Sequence, residues 1–227
     1  MDVELVVVES PEEAARTAAQ RLARAAAAGA HFALAGGSTP RLAYQIATEL
    51  QPDWSSARLW WGDERCVPPW DERSNYRLAR EALLDRLGRL PRAVHRIRGE
   101  LVPEEAAAEY ERELEGVRLD LVLLGIGPDG HTASLFPGAP ALEERERLVV
   151  AAEPGLEPMV PRVTLTIPAL AAASSVVFLV AGKEKTEAAK RAFCGAADPA
   201  TPASLDRSRE GETVAILDAA AASGLAG

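Results

Sequence analysis

Leu119-Asp-Leu-Val-Leu-Leu-Gly-Ile-Gly-Pro-Asp-Gly-His-Thr-Ala-Ser-Leu-Phe-Pro-Gly138 sets an apolar run directly against a glycine loop that carries Asp129 and His131. The run Leu119–Leu124 has the character of a strand buried on both faces, as in a parallel sheet. The loop behind it admits two readings. Gly125, Gly127 and Gly130 satisfy the GxGxxG spacing of a dinucleotide-binding turn, whereas Asp-Gly-His in the same loop has the composition of an acid/base site.

Working outward, apolar runs of strand length recur at Leu5–Val8, Phe32–Ala35, Leu59–Trp61, Leu148–Ala152, Val163–Leu165, Val176–Val180 and Val214–Leu217. Between most of them the pattern predicts helices: Pro11–Ala28, capped by Ser10 and stopped by Gly29, then Arg41–Leu50, Tyr76–Leu87, Pro103–Glu115 and Glu184–Phe193. Strands of this kind alternating with helices predict an α/β fold, a mostly parallel sheet covered by helices on both faces. With 227 residues and no linker-like stretch, one domain over residues 1–227 is expected. The Pro- and Ser-containing segment Gly195–Arg209 is expected to be a surface loop before the last strand.

Composition narrows the partners. Lys and Arg total 25 against 34 Asp and Glu, and the net charge of −9 argues against a general nucleic-acid or anionic-membrane surface. Cys66 and Cys194 stand far apart with no metal-ligand spacing, so two reduced cysteines and no metal site are expected. The first apolar run is too short for a signal peptide or a membrane span, and a cytoplasmic location is the default. Nothing in the sequence sets an oligomeric state.

In parallel α/β sheets, ligands sit at the carboxyl ends of the strands. Polar loops leave predicted strands there at Gly36–Pro40, Gly62–Pro69, Gly125–Gly138 and Gly182–Lys185. In the central loop, the dinucleotide reading needs a long helix from the third glycine, but Pro137, Gly138 and Pro140 interrupt the chain. Pro128 removes a backbone donor and Asp129 points a carboxylate into the phosphate cradle. Under the acid/base reading the glycines allow a sharp turn, Asp129 orients an imidazole, and His131 exchanges protons near neutral pH. His31 and His95 have no such setting and read as structural.

Gly36-Gly-Ser-Thr-Pro40 lies before a helix expected to begin at Pro40 or Arg41, and has the makings of an anion cradle. Gly37 exposes backbone N–H, Ser38 and Thr39 add hydroxyls or cap the helix, and the dipole favours a phosphate. It is not GxSxG, so a serine nucleophile is not indicated. Gly62-Asp-Glu-Arg-Cys-Val-Pro-Pro69 places Asp63 and Arg65 on an expected loop, where Arg65 can meet developing oxyanion charge. Arg162 opens a short strand, and Lys183 and Lys185 stand where a strand meets a helix, a recurrent phosphate setting.

Taken together, Gly36-Gly-Ser-Thr-Pro40, Trp61-Gly-Asp-Glu-Arg-Cys-Val-Pro68, Ser74-Asn-Tyr76, Gly125-Ile-Gly-Pro-Asp-Gly-His-Thr-Ala-Ser-Leu-Phe136, Pro161-Arg-Val-Thr-Leu-Thr166 and Gly182-Lys-Glu-Lys185 resemble, in order, the 6-phosphogluconolactonases of the glucosamine-6-phosphate isomerase/6-phosphogluconolactonase family. The resemblance implies a Rossmann-like fold and hydrolysis of a small sugar-phosphate lactone, 6-phospho-D-glucono-1,5-lactone, in the oxidative pentose phosphate pathway, with no cofactor. It makes His131 the general base, supported by Asp129, with Asp63 and Arg65 beside the reacting group. Gly37, Ser38, Thr39, Arg162 and Lys185 become the phosphate contacts, Lys185 being preferred to Lys183. Phe136 stands where the deaminase relatives carry a glutamate, which favours a lactonase over an isomerase or deaminase. A non-catalytic sugar-phosphate sensor is the alternative of another class, but a strand beginning near Val3 leaves no room for a DNA-binding segment.

Overall fold

A computed structural model describes residues 3–225. Its strands are β1 (Glu4–Val8), β2 (His31–Leu34), β3 (Arg58–Trp61), β4 (Asp63–Arg65), β5 (Ala93–Val94), β6 (Leu121–Leu124), β7 (Val149–Ala152), β8 (Arg162–Leu165), β9 (Ser175–Val180) and β10 (Glu212–Asp218). The helices are α1 (Pro11–Ala27), α2 (Ser38–Leu50), α3 (Asn75–Ala82), α4 (Pro103–Leu114), α5 (Ile167–Ala171), α6 (Thr186–Cys194) and α7 (Ala219–Ala222). A seven-stranded sheet runs in the order β1-β10-β9-β6-β2-β3-β5, with every pairing parallel. The expected α/β architecture is therefore present.

Local chemistry explains the element ends. Ser10 Oγ accepts the Glu13 N–H at 3.2 Å, Pro11 opens α1, and Gly29 leaves it at φ 74°. β6 is buried along its length, matching its unbroken apolar run. From β2 the chain steps outward to β3 and β5, then returns to β6 on the other side of β2. The crevice between the carboxyl ends of β2 and β6 is thus a topological switch point, where ligands bind in open sheets of this kind.

Several expectations are corrected. The strands expected at Leu148–Ala152 and Val163–Leu165 are not in the parallel sheet: β4, β8 and β7 form a separate three-stranded antiparallel sheet. Asp63–Arg65, expected in a loop, is its edge strand. Gly62 joins the two sheets, donating its N–H to Leu34 O at 3.0 Å and accepting the Leu165 N–H at 2.8 Å. α2 begins at Ser38 rather than Pro40, with Gly37 at φ 103° in the cap position and no side-chain cap. Ser38 and Thr39 are therefore in the first turn and do not cap it. The helix expected over Tyr76–Leu87 ends at Ala82, followed by a 3-10 turn at Leu84–Arg86.

The segment expected as a surface loop, 195–209, is buried through its second half, including Thr201, Pro202, Ala203, Ser204, Asp206 and Ser208. Its polar residues bond inward: Ser208 Oγ donates to Ala173 O at 2.6 Å, and Ser204 Oγ to Asp198 O at 3.1 Å. Asp206 is the exception, fully buried with no hydrogen-bond partner on either carboxylate oxygen. Burial pushes its pKa up from 3.8 to about 8, with Arg207 opposing. The folded state thus holds a proton that the unfolded chain releases, so stability falls as pH rises from the unfolded value toward the folded one. Asp206→Asn, neutral throughout, should flatten the decline in thermal midpoint over that window; an unchanged slope would refute the assignment.

Candidate active site

Two tyrosines pin the strand ends that lead into the switch-point crevice. Tyr44 Oη, on α2, accepts the Ala35 N–H at 2.9 Å and donates to Ala35 O at 2.6 Å. Tyr110 Oη, on α4, makes the same pair with Trp61, at 2.7 and 3.1 Å. Both phenols are fully enclosed, so the turns at Gly36 and Gly62 start from fixed points. These anchors carry no sequence signal beyond an apolar helical position.

The crevice is a cavity of about 320 Å³ lined by Gly36, Gly37, Gly125–Pro128, Asp63, Arg65, Asn75, His131, Phe136, Arg162 and Lys185, among others. All of the polar loops singled out in the sequence therefore reach one site. Ser38 and Thr39 are not part of the wall, and Lys183 is not either.

His131 is held from several sides. Its Nδ1 lies 2.6 Å from Asp129 Oδ1, which also accepts the His131 N–H at 3.2 Å. Gly127 N–H donates to His131 O at 2.8 Å and Gly130 N–H to Gly127 O at 3.0 Å, closing the loop on itself. A carboxylate on Nδ1 favours, in the neutral imidazole, the tautomer with the proton on Nδ1 and the lone pair on Nε2. Phe136 packs beside the imidazole with ring centroids 4.6 Å apart. Ala133, on the cavity wall, has φ 48°, the one non-glycine residue with positive φ among those described. No α-helix follows β6 directly, the next element being a 3-10 turn at Pro140–Glu143, so the helix dipole that a dinucleotide pyrophosphate needs is missing.

The strand character of β4 sorts its charges, because alternate residues face opposite sides. Asp63 and Arg65 face the cavity. Asp63 is held on both oxygens, by Asn75 Nδ2 at 3.1 Å and Ser134 Oγ at 2.6 Å. Glu64, to which the sequence reading gave no role, faces away and accepts from the N–H groups of Arg65, Asn75 and Tyr76 at 2.7 Å each and from Ser74 Oγ at 3.0 Å. Burial pushes its pKa up to about 7 against those donors. Glu64 thereby fixes the start of α3 and with it Asn75, whose amide fills the space a side chain at Gly36 would need.

Arg162, 3% exposed, is placed differently from a simple phosphate ligand. Its Nε–H donates to Val160 O at 3.0 Å and its Nη2 to Leu156 O and Pro158 O at 3.0 and 2.8 Å. It ties the 156–160 loop against the cavity, where Leu156 and Glu157 join the wall. Burial, with Arg65 nearby, holds its pKa below the usual guanidinium value. His95 and His31 have structural settings, His95 stacking on Trp60 at 3.9 Å and His31 accepting the Trp60 Nε1–H at 3.2 Å.

Residues 8–215 match the profile of the family described as glucosamine-6-phosphate isomerases/6-phosphogluconolactonase. The chain belongs to this family. Within it, the chain is 40% identical to 6-phosphogluconolactonase of Nostoc sp. over 200 residues, 84% of this chain and 82% of that protein. Among solved structures it is similar to 6-phosphogluconolactonase from Trypanosoma brucei, with TM-score 0.88, 30% identity and 99% of each chain covered. A monomeric glucosamine-6-phosphate deaminase superposes with TM-score 0.86 over 98% of this chain at 21% identity, a likeness of fold alone. The family thus contains both an isomerase and a lactonase chemistry, and the residue beside His131 here is Phe136.

Proposed function

We propose that this protein is an enzyme that hydrolyses 6-phospho-D-glucono-1,5-lactone to 6-phospho-D-gluconate in the oxidative pentose phosphate pathway. The observation that carries the reading is an imidazole held at 2.6 Å by a carboxylate, opening on a cavity that Arg65 and Lys185 also line. The lactonase relatives named above support the same reaction. No helix among the described residues is long and apolar enough to cross a membrane. A cytoplasmic location and a small-molecule ligand, with no nucleic acid, belong to the same proposal.

In the mechanism, Asp129 accepts a hydrogen bond from His131 Nδ1–H and leaves Nε2 free. His131 Nε2 takes a proton from water as the water oxygen bonds to the lactone C1, whose carbonyl electrons move onto oxygen. Arg65 offsets that oxyanion charge, a contribution that is large where the donor is preorganised. As the tetrahedral centre collapses, the bond from C1 to the ring oxygen breaks and protonated His131 gives its proton to the departing oxygen. Asp63, held by Asn75 and Ser134, keeps a carboxylate beside the reacting group. Phosphate is met by Lys185 and by the Gly37 N–H at the N-terminus of α2, both on the cavity wall.

The direct test generates the lactone in situ and measures its hydrolysis above the spontaneous rate. No acceleration, or ammonia release from glucosamine 6-phosphate instead, overturns the proposal. For Lys185→Ala the expected result is a rise in KM for the phosphorylated lactone of roughly 10- to 100-fold, the equivalent of one lost charge-assisted hydrogen bond. Unphosphorylated glucono-1,5-lactone should be affected far less; equal effects would remove Lys185 from the phosphate site. Arg162→Ala, which also frees the 156–160 loop, should weaken both substrates.

A further inference from the structure

The buried segment around Thr201 lies against the His131 loop, and the reaction described above gives it no task. Thr201 is 1% exposed. A side chain at Gly130 would come within 2.9 Å of Thr201 Cγ2 and 3.2 Å of its Cα, so the backbone between Asp129 and His131 rests flat on this residue. Gly130 holds φ 94°, and its carbonyl accepts the Ala203 N–H at 3.0 Å. From the other side, Arg191 Nε–H donates to Thr201 Oγ1 at 3.1 Å. Arg191 is on α6, the helix whose N-cap is Lys185. Arg207 braces the same arrangement, donating to Ala192 O at 2.6 Å and to Ala203 O at 2.9 Å.

One short helix therefore carries a cation of the cavity wall at its start and, near its end, a hydrogen bond to the residue on which the His131 loop lies. We propose that Thr201 and Arg191 are positioning residues that couple occupancy of the phosphate site at Lys185 to the placement of the His131 imidazole. The inference rests on the lactonase reading. Its physical content is that binding energy from the non-reacting phosphate helps to orient the base, which raises kcat rather than merely lowering KM. A helix moves as a unit, so an anion drawing on Lys185 acts on Arg191 too. Misplacement of a catalytic group by about 1 Å is enough to cost on the order of 100-fold in rate.

The test divides the substrate in two. Unphosphorylated D-glucono-1,5-lactone is hydrolysed by the wild-type protein with and without inorganic phosphite dianion, which supplies the anion without the covalent link. The expected result is that phosphite raises kcat/KM for this truncated lactone on the order of 10-fold or more in the wild type. In Arg191→Ala and Thr201→Val, which remove the hydrogen bond from either side, that activation should shrink to about twofold or less. With the phosphorylated lactone, kcat should fall in both variants by more than KM changes. Thr201→Ser and Arg191→Lys, which keep a hydroxyl and a cationic donor, should recover part of the activation.

Arg191 is exposed, so its replacement leaves the core unchanged even if Thr201→Val does not fold. No phosphite activation in the wild type, or undiminished activation in Arg191→Ala, overturns the coupling. So does an equal proportional loss on both lactones, which is what mere loosening of the structure produces. Wild-type acceleration of the phosphorylated lactone keeps these outcomes separate from failure of the lactonase reading; without it, the coupling falls as well.

Discussion

Replacing His131 by Ala should lower kcat for the phosphorylated lactone by about 10²–10⁴-fold, the usual contribution of a positioned general base. The variant should remain folded, because His131 is on a loop whose closing hydrogen bonds use its backbone: Gly127 N–H bonds to its carbonyl and its own N–H to Asp129. KM should change little, since the proposed phosphate contacts, Gly37 and Lys185, lie elsewhere on the cavity wall. Asp129→Asn should give a loss of comparable size, because the amide can donate to Nδ1 and favour the tautomer with the proton on Nε2, and the charge that stabilises the protonated imidazole is gone. Steady-state kinetics alongside thermal unfolding decide the matter. A well-folded His131→Ala protein with near-normal turnover would remove the imidazole from the mechanism.

The second large effect is expected at Gly127, a residue with no functional group. A Cβ there would overlap His131 Nδ1 and Cε1 and crowd Asp129 Oδ1 at 2.5 Å. Gly127→Ala must therefore push the imidazole out of its place or break its bond to Asp129, and kcat should fall by roughly 100-fold or more. Because the overlap is with side chains at the cavity rather than with the core, the thermal midpoint should drop by only a few degrees for about 1 kcal/mol of strain. A kcat within a few-fold of wild type would mean that the Asp129 to His131 contact is not what the reaction uses.

The loop around Gly127 was only partly legible in the sequence. The strand β6 and its loop were legible because an unbroken apolar run, closely spaced glycines and an Asp-Gly-His triplet coincide within a few residues. The spacing of the glycines was not itself the message: Gly127 is glycine to make room for an imidazole, whereas a dinucleotide turn uses its glycines to let backbone approach a pyrophosphate. Convergence of the polar loops on one cavity was likewise foreseeable, since a parallel sheet gathers what leaves the same end of its strands.

Other features were hidden for identifiable reasons. Asp63–Arg65 has three charged residues in a row and no apolar alternation, so its strand pairing with β8 depends wholly on a distant partner. Missing that strand concealed the division of labour between Asp63 and Arg65 on one side and Glu64 on the other. Asn75 and Ser134 act through Asp63, and hydrogen bonds between residues 12 and 71 positions apart leave no local trace. Arg162 was readable as a cation near a substrate anion, but not as the tie that holds the carbonyls of Leu156, Pro158 and Val160. The segment 195–209 looked like a surface loop by composition, because internal pairing of Ser and Thr is indistinguishable in sequence from solvation.

The pairing of β1 with β10 bears on how the sheet is completed during folding. β1 and its partner β10, residues 212–218, are brought together from distant parts of the chain, with Glu4 against Val214 and Val8 against Asp218. In the sheet β1 has no other strand neighbour, and a contact of such long sequence separation is among the slowest to form. Until β10 docks, β1 offers two unpaired edges instead of one, and an unpaired edge is a template for pairing with another chain.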